Sequence, residues 1–291
     1  MVSFGSASGS PLREVRDPST YTALVYAPPD TCASPVPMLL YLHGAGECGS
    51  KIWGIIAEGA TGTPPVELHF GRAPPALAEQ FCVVAPQSAG GWQPAKIAKF
   101  CEWLLSGGAK DLVPAIDPNR CYCTGHSMGG SGALDAGTTG LFAAIAPVAP
   151  GGGDTANLKG VPCWLFHGAN DVVLPVRCSE RAYEALRSLN GEEPVRNSCP
   201  APHMALPSNL LRWGTCHGAT GPLQLQPCHL RTWASCVVHC CRPGEEMVKF
   251  TCFESAPDPP GYPHATGHAS TIPAYATTEL YSWLLSHVKK T

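Results

Sequence analysis

Gly125-His126-Ser127-Met128-Gly129 is the stretch of this chain best suited to chemistry. Glycines on both sides let a serine sit on a sharp, strained turn with its hydroxyl exposed. Presented there, the hydroxyl becomes a nucleophile once a base takes its proton and an acid orients the base. The chemistry this suits is acyl transfer through a covalent intermediate. Glycine is abundant in the chain, so the bare pattern carries little weight. Its flanks carry more. Arg120 to Thr124 reads as a short buried strand, and the small residues from Gly130 to Gly137 suit a helix. Strand, turn and helix in that order is the setting in which such a serine acts.

The partners are expected later in the chain, the acid first and the histidine after it. Asp171 is the candidate acid. It follows Trp164-Leu165-Phe166-His167-Gly168-Ala169-Asn170, a strand running into a loop, and sites collect at the carboxyl ends of parallel strands. A turn-capping role is the plain alternative for Asp171, and Asp154, one strand earlier, is its rival. His268, ahead of the terminal helix in Gly267-His268-Ala269-Ser270, is the preferred base over His264, which sits in a proline-rich turn. His126 flanks the serine and reads as a substrate-lining residue. His43 and His167 close strands and read as structural hydrogen-bonding residues. Acyl transfer also needs donors for the developing oxyanion. The Met128 N–H supplies one. The loop His43-Gly44-Ala45-Gly46-Glu47 offers another, from Ala45 or else Gly46.

The elements that must position these residues alternate between strand and helix. Tyr21 to Ala27, Met38 to Leu42, Phe81 to Ala85 (ended by Pro86), Arg120 to Thr124, Phe142 to Val148, Val161 to Phe166 and Val248 to Phe253 read as strands. Pro94 to Leu105, Pro175 to Leu189 and Tyr275 to Val288 have helical spacing. The alternation predicts an α/β fold with a doubly wound, mostly parallel sheet and flanking helices.

The chain has 291 residues, which suits one large α/β domain or two small ones. Apolar residues make up 44% and charged residues 14%, enough to bury a core and too few charges for a disordered chain. Net charge is −3 with no basic block, so nothing points to nucleic acid or to an anionic membrane surface. No apolar run is long enough to span a membrane, and the N-terminus lacks the basic and apolar regions of a secretory signal, so a cytoplasmic location is expected. The fifteen cysteines are odd in number, and Cys82, Cys121, Cys123 and Cys163 fall inside strands, as small apolar core residues do. The sequence carries no signal for oligomeric state.

Pro194 to Glu246 breaks the rhythm. It is rich in proline, histidine and cysteine, lacks a period, and reads as an irregular insertion into a single domain spanning residues 1–291. Removing it would leave a connection between Asp171 and His268 of ordinary length. Cys216-His217, Cys228-His229 and the run from Cys236 to Cys241 allow a zinc patch, but their spacing is not that of a standard finger, and a poorly ordered insertion or a cap is the readier reading. No metal site is assigned.

The chain resembles the esterase, phospholipase and dienelactone-hydrolase-like branch of the α/β-hydrolases, which includes bacterial proteins labelled peptidases. The matching pieces are Leu42-His43-Gly44-Ala45-Gly46-Glu47, Ala85-Pro86-Gln87, Thr124 to Gly130, Phe166-His167-Gly168 with Asp171, and Leu280-Tyr281-Ser282-Trp283-Leu284-Leu285. The resemblance implies the α/β-hydrolase fold and carboxylic-ester hydrolysis without a cofactor, on a small-molecule ester. It also implies an aromatic contact to substrate, for which Trp92 is the candidate. This chain departs from the family at the base, with His268-Ala269-Ser270-Thr271 in place of His-Asp-x-Trp. Dienelactone hydrolases proper use a cysteine nucleophile, so the serine disfavours their substrate. A thioesterase or peptidase would use the same machinery, and a non-catalytic ligand binder or an inactive isoform stands as the reading outside enzymes.

Overall fold

The computed structural model describes residues 10–29, 34–56, 60–192 and 247–289. Pro194 to Glu246, with the zinc, cap and disorder readings attached to it, lies outside the described residues. The described strands are β1 (Arg13–Arg16), β2 (Thr22–Tyr26), β3 (Val36–Leu42), β4 (Cys82–Gln87), β5 (Ile116–His126), β6 (Ala144–Val148), β7 (Cys163–Gly168) and β8 (Val248–Phe253). They form one eight-stranded sheet in the order β1-β2-β4-β3-β5-β6-β7-β8. Strands from β4 across to β8 run parallel, while β1 and β2 add an antiparallel edge.

Alternation along β3 explains why this sheet needs cover on both faces. Met38, Leu40 and Leu42 join Val84, Phe100, Leu134 and Leu186 in one apolar layer. Leu39 and Tyr41, pointing the other way, join Val83, Trp164, Leu280 and Leu284 in a second. The first layer is closed by α3 (Pro94–Leu105), α4 (Met128–Gly137) and α5 (Arg177–Leu189), after the short helices α1 (Pro64–His69) and α2 (Pro75–Ala78). The second is closed in part by α7 (Thr278–Ser286), which follows α6 (Thr271–Ala276). Helices on both faces of a mostly parallel sheet match the expected class.

Several boundaries differ from the sequence reading. β4 continues through Pro86, because its ladder with β3 ends at Val84 and Pro86 faces Ala23 of β2. β5 begins at Ile116, four residues before the expected start, and pairs there with Val36 before a register shift. The terminal helix is two helices rather than one. Thr277 turns extended at ψ 104°, and its Oγ1 donates to the Pro273 carbonyl at 2.9 Å, closing α6 before α7 starts. The buried strand cysteines are free thiols in the core, as expected. Among the described residues, no helix is long and apolar enough to cross a membrane, and no group of three or more His, Cys, Asp or Glu is arranged to hold a metal ion.

Candidate active site

The carboxyl ends of β3, β5, β7 and β8 open at one edge of the sheet, and the candidate residues gather there. Ser127 stands between β5 and α4 at φ 56°, ψ −115°, a region where a side chain is strained. Two features hold it there. Its N–H donates to the Val148 carbonyl at 2.9 Å, and its carbonyl receives the Ser131 N–H of α4 at 3.0 Å. The glycines are required by close approach: a Cβ on Gly125 would collide with the Gly129 carbonyl, and one on Gly129 with the Leu42 carbonyl of β3. The helix therefore leaves the strand at a distance no side chain permits.

His268 lies beside the serine. Its Nε2 is 3.0 Å from Ser127 Oγ, and its Nδ1 is 2.7 Å from Asp171 Oδ2. The network assigns the proton of the neutral ring to Nδ1, leaving Nε2 to accept from the hydroxyl. The Asp171 side chain has no exposed surface, and both of its oxygens accept hydrogen bonds. Oδ1 accepts the Val173 and Leu174 N–H groups, each at 2.9 Å, and Oδ2 takes His268 and, at 3.4 Å, His167 Nε2. Burial alone would raise the Asp171 pKa, but the hydrogen bonds from His167, His268 and Leu174 together outweigh it and hold the carboxyl below the usual carboxylate range. His167 is itself fixed: its one Nε2–H is shared between the Leu174 carbonyl at 2.8 Å and, more weakly, Asp171 Oδ2 at 3.4 Å, and Nδ1 receives the Ser179 hydroxyl of α5 at 2.7 Å.

The loop after β3 forms the third part. Ala45, Gly46 and Met128 each begin or sit within the first turn of a helix, and their N–H groups have no protein partner among the described residues. The loop is pinned from behind. His43 donates Nδ1–H to the Gly44 carbonyl at 2.7 Å and accepts the Ser88 N–H on Nε2 at 2.9 Å, and Gln87 Nε2 donates to the Glu47 carbonyl at 3.0 Å. Burial lowers the pKa of His43, in keeping with this neutral, doubly bonded ring. Such an arrangement can present a serine hydroxyl, a base to deprotonate it and free donors to hold an oxyanion.

Two residues expected to line the substrate also carry structural hydrogen bonds. Trp92 is only 8% exposed and belongs to the core. Its Nε1–H donates to the His43 carbonyl at 3.1 Å, and its ring packs on Tyr21 at 5.6 Å and His43 at 4.9 Å. The indole thus supports the loop from below, because a buried indole N–H needs an acceptor and the His43 carbonyl is the one in reach. His126 uses Nε2 on the backbone of the base: Nε2–H donates to the His268 carbonyl at 2.7 Å, and the two rings lie 4.7 Å apart. Burial, reinforced by the neighbouring His268, lowers the His126 pKa to about 3, so the ring is neutral. Of the rivals, Asp154 caps a turn through the Ala156 and Asn157 N–H groups, and His264 is exposed. Glu47 was not singled out in the sequence. It ends the loop as a partly buried acid, and nothing local in its neighbours marks it.

No protein-family model matches the chain, and no curated protein matches it. Among solved structures, the crystal structure of a thermostable esterase is similar over 95% of this chain and 62% of that chain, with a TM-score of 0.59 and 22% identity. This chain therefore spans less than two thirds of that protein's length. A dienelactone hydrolase from Klebsiella pneumoniae subsp. pneumoniae is similar over 62% of this chain and 81% of that chain, at a TM-score of 0.45 and 16% identity. At the first of these levels the likeness speaks for architecture. Taken with the strand order and the strand–serine–helix turn, it identifies the chain as having the α/β-hydrolase fold.

Proposed function

We propose that the protein is a serine carboxylesterase acting through an acyl-enzyme, without a cofactor. Ser127 Oγ attacks the ester carbonyl while His268 Nε2 takes its proton. Asp171 holds His268 through Nδ1–H and offsets the positive charge that the ring gains. The N–H groups of Met128 and of Ala45 or Gly46 stabilise the oxyanion. His268 returns the proton to the leaving alcohol, and water, deprotonated by the same ring, releases the acid.

The observation that carries this reading is the unbroken relay from Ser127 Oγ through His268 to Asp171, at 3.0 Å and 2.7 Å. The unpartnered first-turn N–H groups of Met128, Ala45 and Gly46 beside it are available to hold an oxyanion. Hydrolysis of p-nitrophenyl butyrate by the full chain tests the function. Ser127→Ala should reduce kcat/KM by roughly 10⁴-fold or more. Undiminished turnover by that variant would exclude the proposal.

A further inference from the structure

Two loops at the carboxyl edge of the sheet expose apolar side chains that neither core layer uses. Val172 and Val173 directly follow the acid, and they are 64% and 45% exposed. Tyr262, on the loop that leads to the base, is 56% exposed. Six large apolar side chains are exposed among the described residues, and these are three of them. A single exposed apolar residue needs no explanation, but several gathered beside a reactive group do.

The two loops form one wall. Val172 N–H donates to the Thr266 carbonyl at 3.1 Å, two residues before His268. The Asn170 side chain bonds both ways with Ala256, donating to its carbonyl at 2.9 Å and accepting its N–H at 2.7 Å. Gly267 lies so close to Asn170 that a Cβ there would strike the Asn170 main chain. Tyr262 is joined to the base by two successive turns: Ala265 N–H donates to the Tyr262 carbonyl and His268 N–H to the Ala265 carbonyl, each at 3.0 Å. The turn that leaves the valines outside is fixed from within. Asp171 Oδ1 holds the Val173 and Leu174 N–H groups, and the Leu174 side chain takes the inner place, 3.1 Å from where a Cβ on Gly151 would stand.

The opposite flank of Ser127 is bare. Ala45 and Gly46 are exposed, and a Cβ on Gly46 would meet nothing within 4 Å. An ester at Ser127 has a fixed orientation between these flanks. Its carbonyl oxygen faces the N–H groups of Met128 and of Ala45 or Gly46, and the oxygen of its alcohol faces His268 Nε2, which returns the proton. The alcohol chain therefore leaves the reacting carbon on the side of the base, where the exposed valines stand. Each methylene that such a chain buries against this wall favours binding.

We propose that Val172, Val173 and Tyr262 form an apolar subsite for the alcohol part of the substrate, so that esters of long apolar alcohols are preferred over isomers with the chain on the acyl side. The inference rests on the esterase reading above. Its test compares hexyl acetate with ethyl hexanoate by pH-stat titration of the full chain. The two are isomers, and they differ only in which side of the ester carries the chain. The quantity read is the ratio of kcat/KM for hexyl acetate to that for ethyl hexanoate, compared between proteins so that intrinsic reactivity cancels.

Wild type should favour hexyl acetate by about tenfold. Val172→Ser combined with Val173→Ser keeps both N–H groups and removes the apolar surface. It should lower the ratio by about fivefold, chiefly through KM for hexyl acetate. Tyr262→Ser should lower it in the same direction. Leu112→Ser, which removes an exposed apolar side chain ahead of β5, should leave it unchanged. An equal ratio in wild type and the double valine variant would overturn the subsite while leaving esterase activity standing. Hydrolysis of p-nitrophenyl butyrate but of neither isomer would overturn it as well. Hydrolysis of none of the three esters above the rate of Ser127→Ala would overturn the esterase reading and the subsite with it.

Discussion

On the nucleophile side of the site, backbone packing sets the geometry; on the base side, side-chain hydrogen bonds set it. Ser127 is held by glycines that let α4 touch β3 and β5, by a strained φ of 56°, and by main-chain bonds to Val148 and Ser131. His268 is held by Asp171, which is held by His167, which is held by Ser179, while His126 grips the His268 carbonyl. The first kind of structure tolerates no added carbon and is indifferent to pH. The second tolerates changes of volume but not of proton inventory. Each side should therefore fail in its own way.

The largest effect belongs to the backbone side. Gly129→Ala places a methyl group into the Leu42 carbonyl of β3, and relief requires moving either a central strand or the helix. We expect a loss of several kcal/mol, about 3–5, read as a collapse of soluble yield or a fall in thermal midpoint beyond about 10 °C. A variant of native stability would mean that the elbow is looser than its contacts require. Asp171→Asn tests the opposite side. It keeps the volume but places an amide opposite His268 Nδ1, which favours the wrong tautomer, so kcat/KM should fall by roughly 10³–10⁴-fold. Loss of the fold in step with activity would blur the distinction between the two sides.

Acid should separate them further. An unfolded histidine binds a proton near the ordinary value of about 6.5, whereas folded His126 resists protonation down to about 3. The unfolded state thus holds the extra proton between those values, and stability falls as pH drops through that window. Asp171 acts in the same sense at lower pH. Its depressed pKa contributes stability above the ordinary carboxylate range, and that stability is lost as pH falls through the native value. His126 keeps some exposure, so we expect at most about 1 kcal/mol per pH unit from it. Urea titrations from about pH 7 to 4 should give a shallower decline for His126→Gln than for wild type. Parallel curves would contradict a neutral His126. The smallest effect is expected two steps from the base: Ser179→Ala removes the anchor of His167 and should cost only about tenfold in kcat/KM.

The same contrast explains what could be read from sequence. The requirement at Ser127 is local, with glycines at fixed offsets between a strand and a helix, so five residues and their flanks expose it. Asp171 and His268 followed from chain order and from their places after strands. The structural bonds of His126 and Trp92 are not legible in sequence because their acceptors are remote: the His268 carbonyl lies 142 residues from His126, and the His43 carbonyl 49 from Trp92. No local pattern reports a long-range main-chain acceptor. The split of the terminal helix depended on one Thr277 hydroxyl bond, which apolar spacing does not register. Glu47 looked like a loop end, because its burial beside His268 is a property of the folded surroundings.

The central claim is that His268 and Asp171 activate Ser127 in particular. Fluorophosphonate labelling followed by peptide mass mapping tests it most directly, because the probe reports the reactive hydroxyl whatever the natural ester is. The account predicts one phosphonyl adduct, on Ser127, in the wild-type chain, and its loss in His268→Ala. Labelling at another residue, or undiminished labelling of Ser127 in His268→Ala, would contradict it.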